Sequence, residues 1–238
     1  MENAQLADRI SSLHAGLSPA EQANLKLILG LSAGQLAAEQ KSSAARSAVT
    51  RTLDLLCPYD VEDPHGLQYR GRPEFLTDEL LARLQKDARD IAPEAVAFDE
   101  HYLGYGSATA DWLSTSRELA DFVSSVVPAC LPTGVASLLY YRDAGQGIVP
   151  HVDTDIFSLN VLLMLEHEFP EGLAQPSALQ MHYADGEVER VQLSPGELVI
   201  FLAGTQAHSR SPIVEGETVT ILTLGFMPVG APIENYER

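Results

Sequence analysis

Apolar residues in the first part of the chain recur at helical spacing. Leu25, Ile28 and Leu29 share one face, the three- and four-residue repeat of an amphipathic helix packed along one side. The start of that helix is written in Ser18-Pro19-Ala20-Glu21: Ser18 caps, Pro19 takes the first helical position and Glu21 closes a capping box. Ser32 interrupts the apolar stripe one turn later, which predicts a short helix with Gly30 and Gly34 at its break. Further helices are expected over residues 43–56, ended by Cys57-Pro58, from Thr77 to about Asp90, and from Thr115 to Val126. Residues 58–74 hold three prolines and two glycines and read as a long ordered loop or an irregular extended strand. The glycines of HYLGYGSATADW likewise suggest a loop, with Trp112 near the start of the next helix.

From Gly134 the texture changes. VASLLYYR, FSLNVLLML, ALQMHYA, VERVQL, ELVIFLAG and TVTILTLGFM are short runs rich in β-branched, aliphatic and aromatic residues, separated by turns such as DAGQG, EFPEG and SPGE. Asp185-Gly186 is the sharpest hairpin signal among them. A helical first part followed by six or more strands predicts an α+β fold, a β-sandwich or jelly roll backed by helices. The expected organisation is one domain over residues 1–238: a mainly helical part over 1–133, a β core over 134–228 and a tail over 229–238.

Charge narrows the partners. The 33 acidic residues outnumber 15 basic ones, for a formal charge of -18, and such a field repels nucleic acid phosphates. It also weighs against an anionic membrane surface. No apolar run approaches the roughly 18 residues that span a bilayer, and the start MENAQLADRI lacks a signal-peptide pattern, so a cytoplasmic location is expected. Cys57 and Cys130 form no CxxC pair and read as free thiols.

The chemistry concentrates where polar residues abut the most apolar strand. In an extended segment His151 and Asp153 point to the same side, with Val152 turned away. An imidazole and a carboxylate on one face make part of a metal site. His208, just after the strand-like run Glu197 to Ala203, is the natural third donor. Two His and one carboxylate leave coordination positions open, the arrangement of non-haem Fe(II) oxygenases. Closed structural zinc sites favour thiolates, and neither cysteine lies near these residues.

His151-Val152-Asp153, then Pro195-Gly196-Glu197-Leu198-Val199-Ile200-Phe201 before His208 and Gly216-Glu217 after it, with the approach YRDAGQGIVPHVDTD, resemble the Fe(II)/2-oxoglutarate-dependent dioxygenases over residues 134–228. The resemblance implies a double-stranded β-helix (jelly roll, cupin-like) with a helical N-terminal layer. It implies His151, Asp153 and His208 as ligands of Fe(II), with 2-oxoglutarate and O2 as co-substrates and a C–H bond of a small molecule, such as an amino acid or biosynthetic intermediate, as the target of hydroxylation, desaturation or cyclisation. One departure stands out: Thr218 occupies the position where the family usually carries the arginine that clamps 2-oxoglutarate, although the hydroxyl two residues on is kept as Thr220. A hydroxyl cannot replace a bidentate guanidinium. Arg210 or a hydroxyl cluster of Tyr141 and Thr220 is the expected substitute, and Asn160, Arg70 and Tyr105 are candidate substrate contacts. The rival readings are an Fe(II) oxygenase or oxidase that does not use 2-oxoglutarate, a cupin-like isomerase with another divalent metal, and a non-catalytic metal-binding β-sandwich.

Overall fold

The structure, a computed structural model, describes residues 2–40, 51–153, 155–183 and 186–230. Helix α1 (Glu2–Ala15), which the apolar pattern does not announce, precedes α2 (Pro19–Gln40). The capping box forms as expected: the Ser18 amide donates to Glu21 Oε2 at 2.9 Å, and the Glu21 amide approaches Ser18 Oγ at 3.5 Å. Helix α2 then runs past Ser32 instead of stopping. Gly30 is buried beside Ala207, and packing there outweighs the roughly 1 kcal/mol that a mid-helix glycine costs. Of the helix expected over 43–56, residues 51–56 are helical and form α3; residues 43–50 lie outside the described residues.

Within 58–74 the chain is partly a strand, β1 (Leu67–Gly71), followed by α4 (Asp78–Ile91) with Thr77 as its cap. The expected loop around HYLGYGSATADW is instead a hairpin, β2 (Val96–Phe98) and β3 (His101–Gly104), and a helix, α5 (Ala108–Ser114), before α6 (Arg117–Val126). Gly104 marks close packing: a Cβ there would lie 2.7 Å from Ile91 Cγ2 and 2.9 Å from Tyr140 Cε2. The rest is β4 (Cys130–Tyr141), β5 (Ile148–His151), β6 (Leu159–Glu168), β7 (Leu179–His182), β8 (Val188–Val191), β9 (Leu198–Phe201), β10 (His208–Arg210) and β11 (Thr218–Pro228).

These strands form two sheets, β1-β9-β6-β11-β4-β3-β2 and β5-β10-β7-β8, paired antiparallel throughout. Alternation along β6 shows how they are layered. Leu159, Val161, Leu163 and Leu165 face outward and pack with Leu84, Leu113 and Leu119 of the helices, while Leu162 and Met164 face inward to meet Leu179 and Met181 of the small sheet. The helices therefore brace one sheet, and the space between the sheets is left for a site. No helix among the described residues is long and apolar enough to cross a membrane.

The segment that begins His151-Val152-Asp153 is not one continuous strand. β5 ends at His151, residues 155–157 make a 3-10 turn, and β6 belongs to the opposite sheet. That turn sits on β11 at Gly225, where a Cβ would lie 2.2 Å from Ile156 O and 2.6 Å from Thr133 Oγ1. Because the nearer clash is with backbone, Gly225→Ala must displace the turn. Overpacking of this kind costs about 1–3 kcal/mol, so a thermal melt of the variant should fall by several degrees; an unchanged melting temperature would contradict the packing described.

Candidate metal centre

The antiparallel pairing of β10 with β5 puts His208 directly opposite His151, with ring centroids 4.2 Å apart. Asp153, just beyond the end of β5, is pinned by its amide, which donates to Ala203 O at 2.8 Å. Its Oδ1 lies 3.4 Å from His151 Nε2 and 3.6 Å from His208 Nε2, and one donor atom from each residue falls within 4.8 Å of the others.

The surrounding hydrogen bonds fix which atoms face the centre. His151 Nδ1 donates to Val149 O at 2.9 Å and His208 Nδ1 to Gln206 O at 3.0 Å. A carbonyl only accepts, so in the neutral rings each Nε2 carries the lone pair. Asn160 Nδ2 holds the other carboxylate oxygen, Asp153 Oδ2, at 2.7 Å. Burial opposes ionisation of Asp153, but the two imidazoles more than offset it and hold the carboxyl well below the ordinary range. Two imidazole lone pairs and a carboxylate directed at one another repel unless a cation lies between them, and the N,N,O set without a thiolate suits Fe(II) better than a closed zinc site. The donor set therefore fits the Fe(II) that the family resemblance of the sequence implies.

This centre opens into a cleft of about 840 Å³ between the sheets. Arg210 lines it, because β10 is extended and places residues 208 and 210 on the same side. The arginine is buried, its Nη2 donates to Ser177 Oγ at 2.9 Å, and its Nε has no partner. It forms no ion pair among the described residues. Behind it, Glu217 accepts hydrogen bonds from the Ser177 amide at 2.6 Å and from His167 Nε2 at 2.8 Å. Tyr141 also lines the cleft, with the Arg210 guanidinium 5.2 Å from its ring centroid, and burial pushes its phenol well above the ordinary value. It stays protonated.

Two of the candidate residues are not brought to this cleft. Thr220 pairs with Tyr140 and shares its face toward the helices, whereas Val219, opposite Tyr141, points between the sheets. Thr218 is exposed at the first residue of β11. The inward residue of β11 opposite Tyr141 is thus aliphatic, and neither Thr218 nor Thr220 can join Tyr141 in a cluster. Arg70 lies on β1 at the edge of the large sheet, exposed and donating to Gln192 O, outside the cleft. Tyr105 lines the rim, and Asn160 lines the interior with its amide committed to Asp153.

Other lining residues are not picked out by the sequence pattern. The β2–β3 hairpin brings Phe98 and His101 to the mouth, and the His101 ring stacks on Tyr141 with centroids 5.5 Å apart. Burial lowers the His101 pKa against the pull of Asp99, keeping the ring neutral. A two-residue turn without glycine or proline leaves no hairpin signal, and His101 has no partner at ligand spacing in the sequence.

No protein-family model and no curated protein sequence matches the chain. Solved structures match its fold. SnoN, a non-haem α-ketoglutarate-dependent epimerase from nogalamycin biosynthesis, aligns with a TM-score of 0.55 at 16% identity, over 75% of this chain and 81% of that one. A Pseudomonas putida prolyl-4-hydroxylase gives 0.53 at 21% identity, over 78% of this chain and 100% of that one. An oxidoreductase of the 2OG-Fe(II) oxygenase family from Burkholderia pseudomallei gives 0.54 at 10% identity, over 78% and 91%. At such identities the likeness is one of fold. The chain has the double-stranded β-helix of the Fe(II)/2-oxoglutarate oxygenases, with a helical layer on its larger sheet.

Proposed function

We propose that this protein is a non-haem Fe(II) oxygenase that couples oxidation of 2-oxoglutarate to oxidation of a C–H bond in a small molecule. The observation that carries the reading is a His-Asp-His donor set opening onto the same cleft as a buried arginine that has no carboxylate partner among the described residues. His151, Asp153 and His208 would hold Fe(II), and the SnoN structure solved with Fe3+ and α-ketoglutarate supports this pairing of metal and co-substrate. Bound Fe(II) supplies O2 activation, with two electrons drawn from 2-oxoglutarate as it becomes succinate and CO2 and two from the substrate C–H bond.

This chain's own groups bind, orient and exclude water. Arg210 offers a planar fork that fits a carboxylate, and its burial strengthens that contact. The Tyr141 hydroxyl is a further donor in the same cleft. Asn160 and the Val149 and Gln206 carbonyls keep the metal-binding side chains in one orientation. Aliphatic walls from Leu139, Leu162 and Ile221 limit bulk water beside the metal.

A second reading has one specific observation in its favour. Thr218, exposed at the start of β11, stands where the family usually carries its co-substrate arginine, and Arg210 would then bind an anionic substrate that supplies all the electrons itself. Anaerobic Fe(II) reconstitution followed by titration with 2-oxoglutarate separates the two. The expected result is a visible metal-to-ligand charge-transfer band that saturates with 2-oxoglutarate, and one succinate formed per O2 consumed on admission of air. Bound iron with neither band nor succinate favours the second reading, and failure to bind iron sinks both.

A further inference from the structure

Among the described residues, three side chains lining the cleft carry a buried polar atom without a hydrogen-bond partner: Asn160 Oδ1, Arg210 Nε and His101 Nδ1. The first two belong to the metal and co-substrate end. His101 does not. It is only 6% exposed, and it stands at the foot of the two-residue turn Asp99-Glu100, whose residues also line the cleft.

The turn differs from the rest of the wall. Asp99 and Glu100 are exposed and form no ion pair among the described residues. In the loaded site, Fe(II) and Arg210 would balance Asp153 and the two carboxylates of 2-oxoglutarate. The charge left uncompensated in the cleft is then that of Asp99 and Glu100. Beside them Phe98 is 52% exposed, its ring edge-on to His101 with centroids 5.7 Å apart, and Leu103, Leu139, Val149 and Ile221 continue an apolar wall. The cleft of about 840 Å³ is near the upper end for small-molecule sites, which run to about 1,000 Å³, so it has room for more than the co-substrate.

We infer that the β2–β3 hairpin is the substrate-recognition element, and that it takes a small molecule with an apolar body and a cationic amine or guanidine: the body against Phe98 and the aliphatic wall, the cation at Asp99 and Glu100, and a polar group paired with His101. The inference rests on the reading of this cleft as an active site. Like-charged substrates would meet two uncompensated carboxylates at the mouth, whereas a cation is drawn in by them.

A matched pair of probes tests it: 2-naphthylmethylamine, a cation, and 2-naphthoate, an anion of the same ring system. Each is titrated calorimetrically and anaerobically into the full chain loaded with Fe(II) and 2-oxoglutarate. The amine is expected to bind at least about tenfold more tightly, as two carboxylates near the surface allow. Asp99→Asn combined with Glu100→Gln should bring the ratio close to one. Phe98→Ala should weaken both probes severalfold with the ratio kept. Equal affinities, no binding of either probe, or a preference that survives in the double variant overturns the assignment. The charge-transfer band of the same samples reports separately on metal and co-substrate, so failure of the oxygenase reading and failure of the hairpin assignment are distinguishable.

Discussion

Asp153→Ala and His208→Ala should each give folded protein that loses Fe(II) during desalting and forms no succinate. Asp153 supplies the one anionic donor of the set, and without it two neutral imidazoles face a dication alone. His208 is the donor contributed by the neighbouring strand, since β10 pairs with β5 and sets it opposite His151. Loss of an outer-sphere partner typically weakens a metal about 10–100-fold. Removal of a ligand itself should exceed that, whereas Asn160→Ala, which acts through Asp153 Oδ2, should stay within it. Thermal melts give a readout independent of turnover. Metal at 100 times its dissociation constant stabilises a folded state by about 2.7 kcal/mol, so the wild-type melting temperature rises with Fe(II) while those of the two ligand variants do not move. Undiminished iron in either variant would remove that residue from the site.

The reach of the sequence in this fold follows physical lines. Strands β4, β6, β9 and β11 were legible because each carries four or more apolar residues that must be buried, and the turns between them carry glycine or proline. β2, β5 and β10 were not, because none carries a run of buried apolar residues: all three residues of β2 are exposed, no residue of β5 is fully buried, and β10 is His-Ser-Arg. The pairing of His151 with His208 follows from register between β5 and β10, which no spacing in the chain reveals, although the residue types suggested the trio. Thr220 was misplaced for a related reason. Its hydroxyl sits at a plausible distance along the chain, but pleating turns it to the helix side and leaves Val219 inward. The pattern also could not foresee that Arg70 stays outside, since β1 joins the far edge of the large sheet.

Arg210→Met should raise the dissociation constant for 2-oxoglutarate by about 30-fold or more, and Arg210→Lys should recover only part of the loss. Truncating one partner of a buried, hydrogen-bonded charge pair costs about 2–5 kcal/mol, and the ammonium of lysine cannot reproduce the planar fork. The methionine variant separates a ligand-binding role from a structural one. Among the described residues the guanidinium is buried with Nε unpartnered and in no ion pair, so an apolar side chain of similar volume should not destabilise the fold and is expected to melt at or above the wild-type temperature. A purely structural arginine predicts the opposite pair of results, a lower melting temperature with unchanged 2-oxoglutarate affinity. Ser177→Ala gives a graded case: it removes the nearer acceptor of Nη2 but leaves the Ser177 carbonyl and the charge, so its effect on co-substrate affinity should fall well short of that of Arg210→Met. If it matched the loss of the arginine, orientation by Ser177 and Glu217, and not the charge itself, would be what the cleft contributes to binding.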